Sequence, residues 1–78
     1  MFYTYILRSR FDNKLYVGWC KDLKRRIKEH NNSLVEATRN RLPMEIVYYE
    51  ACLSEQKAIK REKYFKTGFG RRFLKTRI

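Results

Sequence analysis

Aromatic and β-branched residues fill Phe2 to Arg8, with Tyr3, Tyr5 and Leu7 on one face of an extended chain and Phe2, Thr4 and Ile6 on the other. That alternation predicts a strand with two usable faces. Phe11-Asp12-Asn13 supplies turn chemistry, because Asp and Asn tolerate positive φ, and Lys14 to Trp19 returns as the second strand of a hairpin. Leu15, Val17 and Trp19 share one face of this strand and Tyr16 and Gly18 the other, so the hairpin brings Tyr5 and Tyr16 onto adjacent strands. Asp22 then caps or opens a helix that ends near Asn31-Asn32. Its apolar positions Leu23 and Ile27 mark an i, i+3, i+4, i+7 stripe whose remaining places are held by Arg26 and His30. Two polar groups therefore stand where a core calls for apolar ones.

Residues 32–42 have no period and read as a polar, basic loop. Pro43 introduces a third strand, Met44 to Cys52, in which Met44, Ile46 and Tyr48 alternate with Glu45, Val47 and Tyr49; the run Val47-Tyr48-Tyr49 predicts burial on both faces. Ser54 is an N-cap for a helix from Glu55 to about Lys66, closed by Gly68 as a left-handed cap. The stripe of this helix is Ala58, Ile59, Glu62 and Phe65. Gly70 to Ile78 forms a last short helix that packs Phe73, Leu74 and Ile78 and turns Arg71, Arg72, Lys75 and Arg77 outward. The predicted fold is α/β in the α+β sense: one small domain over residues 1–78, a three-stranded antiparallel sheet flanked by helices, in the order β-β-α-β-α-α.

Composition narrows what such a domain does. The chain of 78 residues is 44% hydrophobic and 15% aromatic, enough for one core and too short for two. Its 19 Lys and Arg against 8 Asp and Glu leave a formal net charge of +11, which makes polyanions, nucleic acid first, the natural partners. An anionic membrane surface is a weaker rival, since no long basic helix carries a broad apolar face. Cys20, Cys52 and the lone His30 lack zinc-ligand spacing, and the two cysteines read as reduced thiols. No apolar run approaches the about 18 residues of a membrane span, and no signal peptide opens the chain. The expected location is the cytoplasm, including the nucleoid.

The ionisable residues on apolar stripes change the picture further. Tyr5, Tyr16, Arg26, His30 and Glu62 all lie on strand faces or helix stripes that can converge on one side of the sheet. Cleaving a phosphodiester requires a water to be deprotonated, charge on the phosphoryl oxygens to be neutralised and the leaving oxygen to be stabilised. Arg26 offers a planar donor fork matched to phosphate, and Glu62 a hard oxygen ligand for Mg2+ or Mn2+. A tyrosine among cations would have its pKa lowered from about 10 towards working pH. Glu62 is the only carboxylate among nine Lys and Arg residues between Lys57 and Ile78, which favours one metal ion over two, with Glu50 or Glu36 as candidate second ligands. Purely structural roles fit the same residues singly: an i, i+4 pair of Glu62 with Lys66, or capping of the last helical carbonyls by His30.

Tyr3-Thr4-Tyr5, then Tyr16-Val17-Gly18, then Lys21-Asp22-Leu23-Lys24-Arg25-Arg26-Ile27-Lys28-Glu29-His30, and later Ala58-Ile59-Lys60-Arg61-Glu62, together resemble the GIY-YIG nuclease superfamily over nearly the whole chain. The resemblance is nearest to its small stand-alone bacterial branch, related to the N-terminal nuclease domain of the excision-repair endonuclease and to phage intron homing endonucleases. It implies that Tyr5 and Tyr16 are the tyrosines of the two motifs and that Gly18 allows close backbone approach. It also implies that Arg26 is the catalytic arginine, His30 the histidine one turn along the same helix face, and Glu62 the metal ligand. Two departures stand out: the first motif lacks its glycine, and the terminal helix lacks an asparagine that several members carry. The resulting expectation is a divalent-metal-dependent endonuclease on DNA, with RNA as the alternative polymer. Arg25, Arg39, Lys66, Arg71 and Arg72 would contact the nucleic acid. With no appended DNA-reading domain, branched, nicked or damaged structures, as in repair, are expected over a defined site, and a protein partner would do the targeting. The competing expectation is a non-catalytic DNA- or RNA-binding module of the same fold.

Overall fold

The computed structural model describes Met1–Ile78 and contains β1 (Phe2–Ser9), β2 (Leu15–Cys20), α1 (Leu23–Asn31), β3 (Met44–Cys52), α2 (Glu55–Phe65) and α3 (Gly68–Lys75). The order is the one expected. The sheet runs β2-β1-β3 with both pairings antiparallel, which places the first strand in the centre. The hairpin turn is set by Asn13 at φ 60° and by Asp12 Oδ1, which accepts the Lys14 N–H at 2.9 Å. Each helix begins on a side-chain cap: Asp22 accepts from the Arg25 N–H, Ser54 from Lys57 and Thr67 from Gly70.

Gly68 is not the cap expected of it. Helix α2 ends at Phe65 with Lys66 in a right-handed conformation, no glycine has positive φ, and Gly68 opens α3. Thr67 caps α3 directly, so the chain turns from one helix into the next without a left-handed residue. The last helix accordingly starts two residues earlier than its apolar pattern indicates.

Side chains on β1 divide between two layers. Tyr5 and Leu7 pack with Met44, Tyr16, Leu23 and Ile27 under α1. Ile6 packs on the other face with Phe65, Leu74, Val17 and Phe73 under α2 and α3. On β3 the simple alternation fails. The register shifts between Ile6 and Leu7, which pair with Tyr48 and Ile46, leaving Val47 as the extra residue of a bulge. Tyr48 is thereby turned to the α2 face, away from the side taken by Met44 and Ile46. Burial of Val47-Tyr48-Tyr49 on both faces does not hold either: β3 is an edge strand, and Tyr49 stands 55% exposed beside Tyr3 at a ring distance of 6.2 Å.

Glu50, a candidate metal ligand by sequence, is occupied. Arg61 binds it in a fork, Nε to Oε1 at 2.8 Å and Nη2 to Oε2 at 3.0 Å, and the Tyr48 hydroxyl donates to Oε2 at 2.6 Å. The Arg61 guanidinium also lies 4.6 to 5.0 Å from the rings of Phe65, Tyr64 and Phe73, so one cation ties β3 to the aromatic layer. Burial pushes the Glu50 carboxyl up, but the bonds from Arg61 and Tyr48 outweigh it and hold the group below its ordinary range. Such a carboxylate contributes stability above its unfolded pKa, and that contribution disappears as pH falls through the folded value. Arg61→Ala is expected to lower stability by about 2 kcal/mol at pH 7 in urea unfolding, with the gap from wild type narrowing in acid.

Candidate active site

Tyr5 points from the central strand into the α1 layer, 0% exposed, directly across from Gly18 of β2. A Cβ at Gly18 would lie 2.5 Å from the Tyr5 hydroxyl, so the tyrosine ring occupies the space any side chain there would need. Two residues one turn apart on α1 meet that hydroxyl. Tyr5 Oη lies 2.9 Å from His30 Nε2, and Arg26 Nε donates to it at 3.4 Å. His30 is itself fully buried, and its second nitrogen, Nδ1, lies 2.6 Å from Thr38 Oγ1 in the connection between α1 and β3. Arg26 sends Nη1 to Glu29 at 3.1 Å, and Glu29 also takes Arg25 at 3.4 Å. Tyr16 leans its ring against His30, 5.1 Å between centroids, and is 6.4 Å from Tyr5. It is half-buried, and its hydroxyl makes no hydrogen bond within the protein.

The electrostatics reverse one expectation. Burial dominates at Tyr5, outweighs the Arg26 hydrogen bond and pushes the phenol up to about 12, so the cation beside it does not yield a phenolate at working pH. His30 moves down to about 4, first through burial and then through the charge of Arg26, with Glu29 opposing; it is neutral at pH 7. The hydrogen bond to Tyr5 chiefly, and Glu29 after it, favour the charged form of Arg26. The cluster is thus a fixed positive charge anchored on a buried neutral chain of tyrosine, histidine and threonine.

Glu62 comes from a different element. It is carried by α2, its side chain is 19% exposed, its ion-pair partner is Lys66 at 3.8 Å, and no hydrogen bond or ion pair joins it to Tyr5, Tyr16, Arg26 or His30. Tyr16 and Arg26 border two different grooves. Tyr16 lies in a groove of about 950 Å³ around the β2 edge, together with Lys66 and Arg71. Arg26 lines a smaller one of about 350 Å³ with Arg25, Trp19 and Glu29. The larger groove also draws on Arg8, Lys14 and Lys75 and contains no Asp or Glu side chain. Lys66 connects the two halves, since it pairs with Glu62 and shares the groove with Tyr16. Arg25, Arg39, Lys66, Arg71 and Arg72 are all exposed; Arg39 and Arg72 belong to neither groove, and Arg72 lies over the Phe69 ring at 4.9 Å.

Compared with known proteins, residues 1–75 match the family model described as the GIY-YIG catalytic domain. The chain belongs to the GIY-YIG family. This GIY-YIG domain is 43% identical over 67 residues to the UPF0213 protein CPE1444 of Clostridium perfringens, covering 85% of the chain and 71% of that protein. It is 39% identical over 66 residues to the UPF0213 protein SSP2268 of Staphylococcus saprophyticus, covering 83% and 79%. The solution NMR structure of the UPF0213 protein BH0048 from Bacillus halodurans superposes with a TM-score of 0.59 at 31% identity, over 97% of the chain and 84% of that structure. These relatives form a small stand-alone branch whose names state no activity, whereas the GIY-YIG domain as such is a nuclease domain acting on nucleic acid, generally with divalent metal. No helix of the GIY-YIG domain is long and apolar enough to cross a membrane.

A divalent ion finds a sparse donor set here. No three His, Cys, Asp or Glu side chains come together, and Glu62 is a single carboxylate whose lysine partner is at the long end of ion-pair distance. That set fits Mg2+ or Mn2+ bound through one carboxylate with water and substrate phosphate completing the shell, the usual habit of Mg2+. Periodicity gave no hint of Thr38 or Glu29, the partners of His30 and Arg26. Thr38 lies in a stretch without a period, and Glu29 looks like an ordinary helix-surface acid; only the i, i+3 spacing from Arg26 points to it.

His30 and Gly18 each yield a stability prediction. The unfolded chain takes up the His30 proton near the ordinary imidazole value of 6.5 and the folded chain only near 4, so this contribution is intact above 6.5 and is lost as pH falls from 6.5 to 4. Urea unfolding is expected to show a decline of about 2–3 kcal/mol over that interval, flattened in His30→Gln. Gly18→Ala, which drives a methyl into the Tyr5 hydroxyl, is expected to cost about 1–3 kcal/mol in the same measurement.

Proposed function

We propose that this domain hydrolyses phosphodiester bonds in DNA in the presence of Mg2+ or Mn2+, nicking branched, nicked or damaged structures. The observation that supports the reading best is a permanently charged Arg26 anchored on Tyr5, together with Tyr16, whose hydroxyl has no hydrogen-bond partner in the protein and which borders a groove lined by five Lys and Arg side chains and no Asp or Glu. Arg26 would offset the charge that builds on the phosphoryl oxygens, with Tyr5 and His30 fixing its direction. Tyr5 is sealed from solvent, so Tyr16 is the tyrosine that can touch the attacking water and take part in its proton transfer. A bound cation would supply Lewis-acid polarisation of the phosphoryl group, held from the protein side by Glu62. Gly18 would keep the strand backbone close over Tyr5. A rim of Lys and Arg contacts phosphates without reading bases, which favours selection by DNA shape over selection by sequence; the same rim admits RNA. Action at the nucleoid, with a protein partner for targeting, completes the proposal.

The competing reading, a nucleic-acid-binding module without turnover, is favoured by one observation: no hydrogen bond or ion pair joins Glu62 to the other four site residues. Incubation of purified protein with supercoiled plasmid and with branched DNA, with and without Mg2+ or Mn2+, separates the two. Nicking that requires metal and falls by at least about 100-fold in Arg26→Ala and in Glu62→Ala is expected. Absence of cleavage on every DNA and RNA offered, or cleavage undiminished in Glu62→Ala, overturns the nuclease reading. The binding module predicts salt-sensitive binding alone, slightly tighter in Glu62→Ala.

A further inference from the structure

We propose that Thr38 is a positioning residue of this site: its hydroxyl accepts the Nδ1 hydrogen of His30, and so aims the lone pair of Nε2 at the Tyr5 hydroxyl on which Arg26 is anchored. The catalytic purpose of this strut rests on the nuclease reading above; the hydrogen-bond assignment does not.

The assignment follows from the number and strength of the donors. Tyr5 Oη has two partners, Arg26 Nε and His30 Nε2, and is sealed from water. Arg26 is a donor only, so the Tyr5 hydrogen has one acceptor within reach, the Nε2 lone pair. In a neutral imidazole, acceptance at Nε2 places the hydrogen on Nδ1. The partner of Nδ1 is Thr38 Oγ1 at 2.6 Å, and it must accept. Either tautomer leaves one buried hydroxyl hydrogen without an acceptor, that of Thr38 or that of Tyr5; the phenol, polarised by the Arg26 bond at its oxygen, is the stronger donor, and the reverse tautomer would also point two donors, His30 and Arg26, at that one oxygen.

Thr38 is itself braced. It is fully buried, its N–H donates to the Val35 carbonyl at 3.2 Å and its carbonyl accepts from Arg41 at 2.9 Å. Arg41 in turn gives Nε to Asp12 at 3.0 Å, and its carbonyl accepts the Ser9 hydroxyl at 2.6 Å. The connection between α1 and β3 is therefore tied back to the first hairpin, and Thr38 is its contact with the active-site cluster. Removing the hydroxyl leaves the Nδ1 hydrogen buried without an acceptor, a cost the imidazole escapes by moving its proton to Nε2, where it displaces Arg26 as the donor to the Tyr5 oxygen.

His30 is the one histidine of the chain, so the imidazole nitrogen signals of the 15N-labelled full-length protein report it alone. At pH 7 the wild type and Thr38→Ser are expected to carry the proton on Nδ1, and Thr38→Val on Nε2. Metal-dependent nicking is expected to fall about tenfold in Thr38→Val and to recover in Thr38→Ser, a part of what a positioned proton-transfer group contributes. A wild-type spectrum with the proton on Nε2 overturns the proposal without any variant, so a poorly folded Thr38→Val does not shield it. Thr38→Val that keeps the Nδ1 proton, or that switches tautomer and nicks at the wild-type rate, overturns it as well. A wild type that cleaves nothing removes the nuclease reading and with it the catalytic role of the strut, while the nitrogen spectrum still decides the tautomer.

Discussion

Strand β1 takes three hydroxyls into the interior, and each has to be partnered there, because a buried hydroxyl without a hydrogen bond is a net cost to folding. Thr4 donates to the Ala58 carbonyl at 2.9 Å and so fixes α2 against one face of the sheet. Tyr5 meets His30 and Arg26 and fixes α1 against the other. Ser9 donates to the Arg41 carbonyl and accepts the N–H groups of Phe11 and Asp12, which closes the hairpin turn onto the long connection. Three hydroxyls on one strand thus tie down α1, α2 and the long connection between α1 and β3. The site is a by-product of the same rule, since satisfying Tyr5 is what draws an arginine and a histidine to a common point.

The sheet separates two ways of handling charge. On the α2 and α3 side, Arg61 is enclosed by aromatic rings and neutralised by Glu50, an arrangement that stabilises and leaves little free for a ligand. On the α1 side the cation keeps part of its donor fork open to solvent while the groups behind it are neutral. An arginine committed to a carboxylate on one side and one anchored on a phenol on the other have different chemistry, although composition counts them alike.

The element order, both faces of the hairpin and the Arg26–His30 stripe were readable because each depends on spacings of two or of three to four residues within one segment. What was not readable depends on partners distant in the chain. The Val47 bulge exists only against β1, and it turns Tyr48 to the face that alternation denied it. Gly68 looked like a terminator because it follows an apolar stripe, whereas Thr67 caps the next helix. The expected acidification of a tyrosine counted cations and left out burial, which dominates at Tyr5. Glu62 is legible as a carboxylate on an apolar stripe of α2, whereas its pairing with Lys66 in place of any bond to the α1 cluster depends on how the helices sit across the sheet.

The placement of β1 also sets the order in which the molecule can be completed. Phe2 pairs with Cys52 and Thr4 bonds to Ala58, so β1 is synthesised well before the partners that complete it, and pairings this distant in the chain form slowly. Until then Phe2-Tyr3-Thr4-Tyr5-Ile6-Leu7 is an uncharged, strand-prone run with unsatisfied edges, the kind of segment that joins to copies of itself. Arg8 and Arg10 follow it at once. Their charge guards the nascent strand against self-association before the helices arrive to cover it.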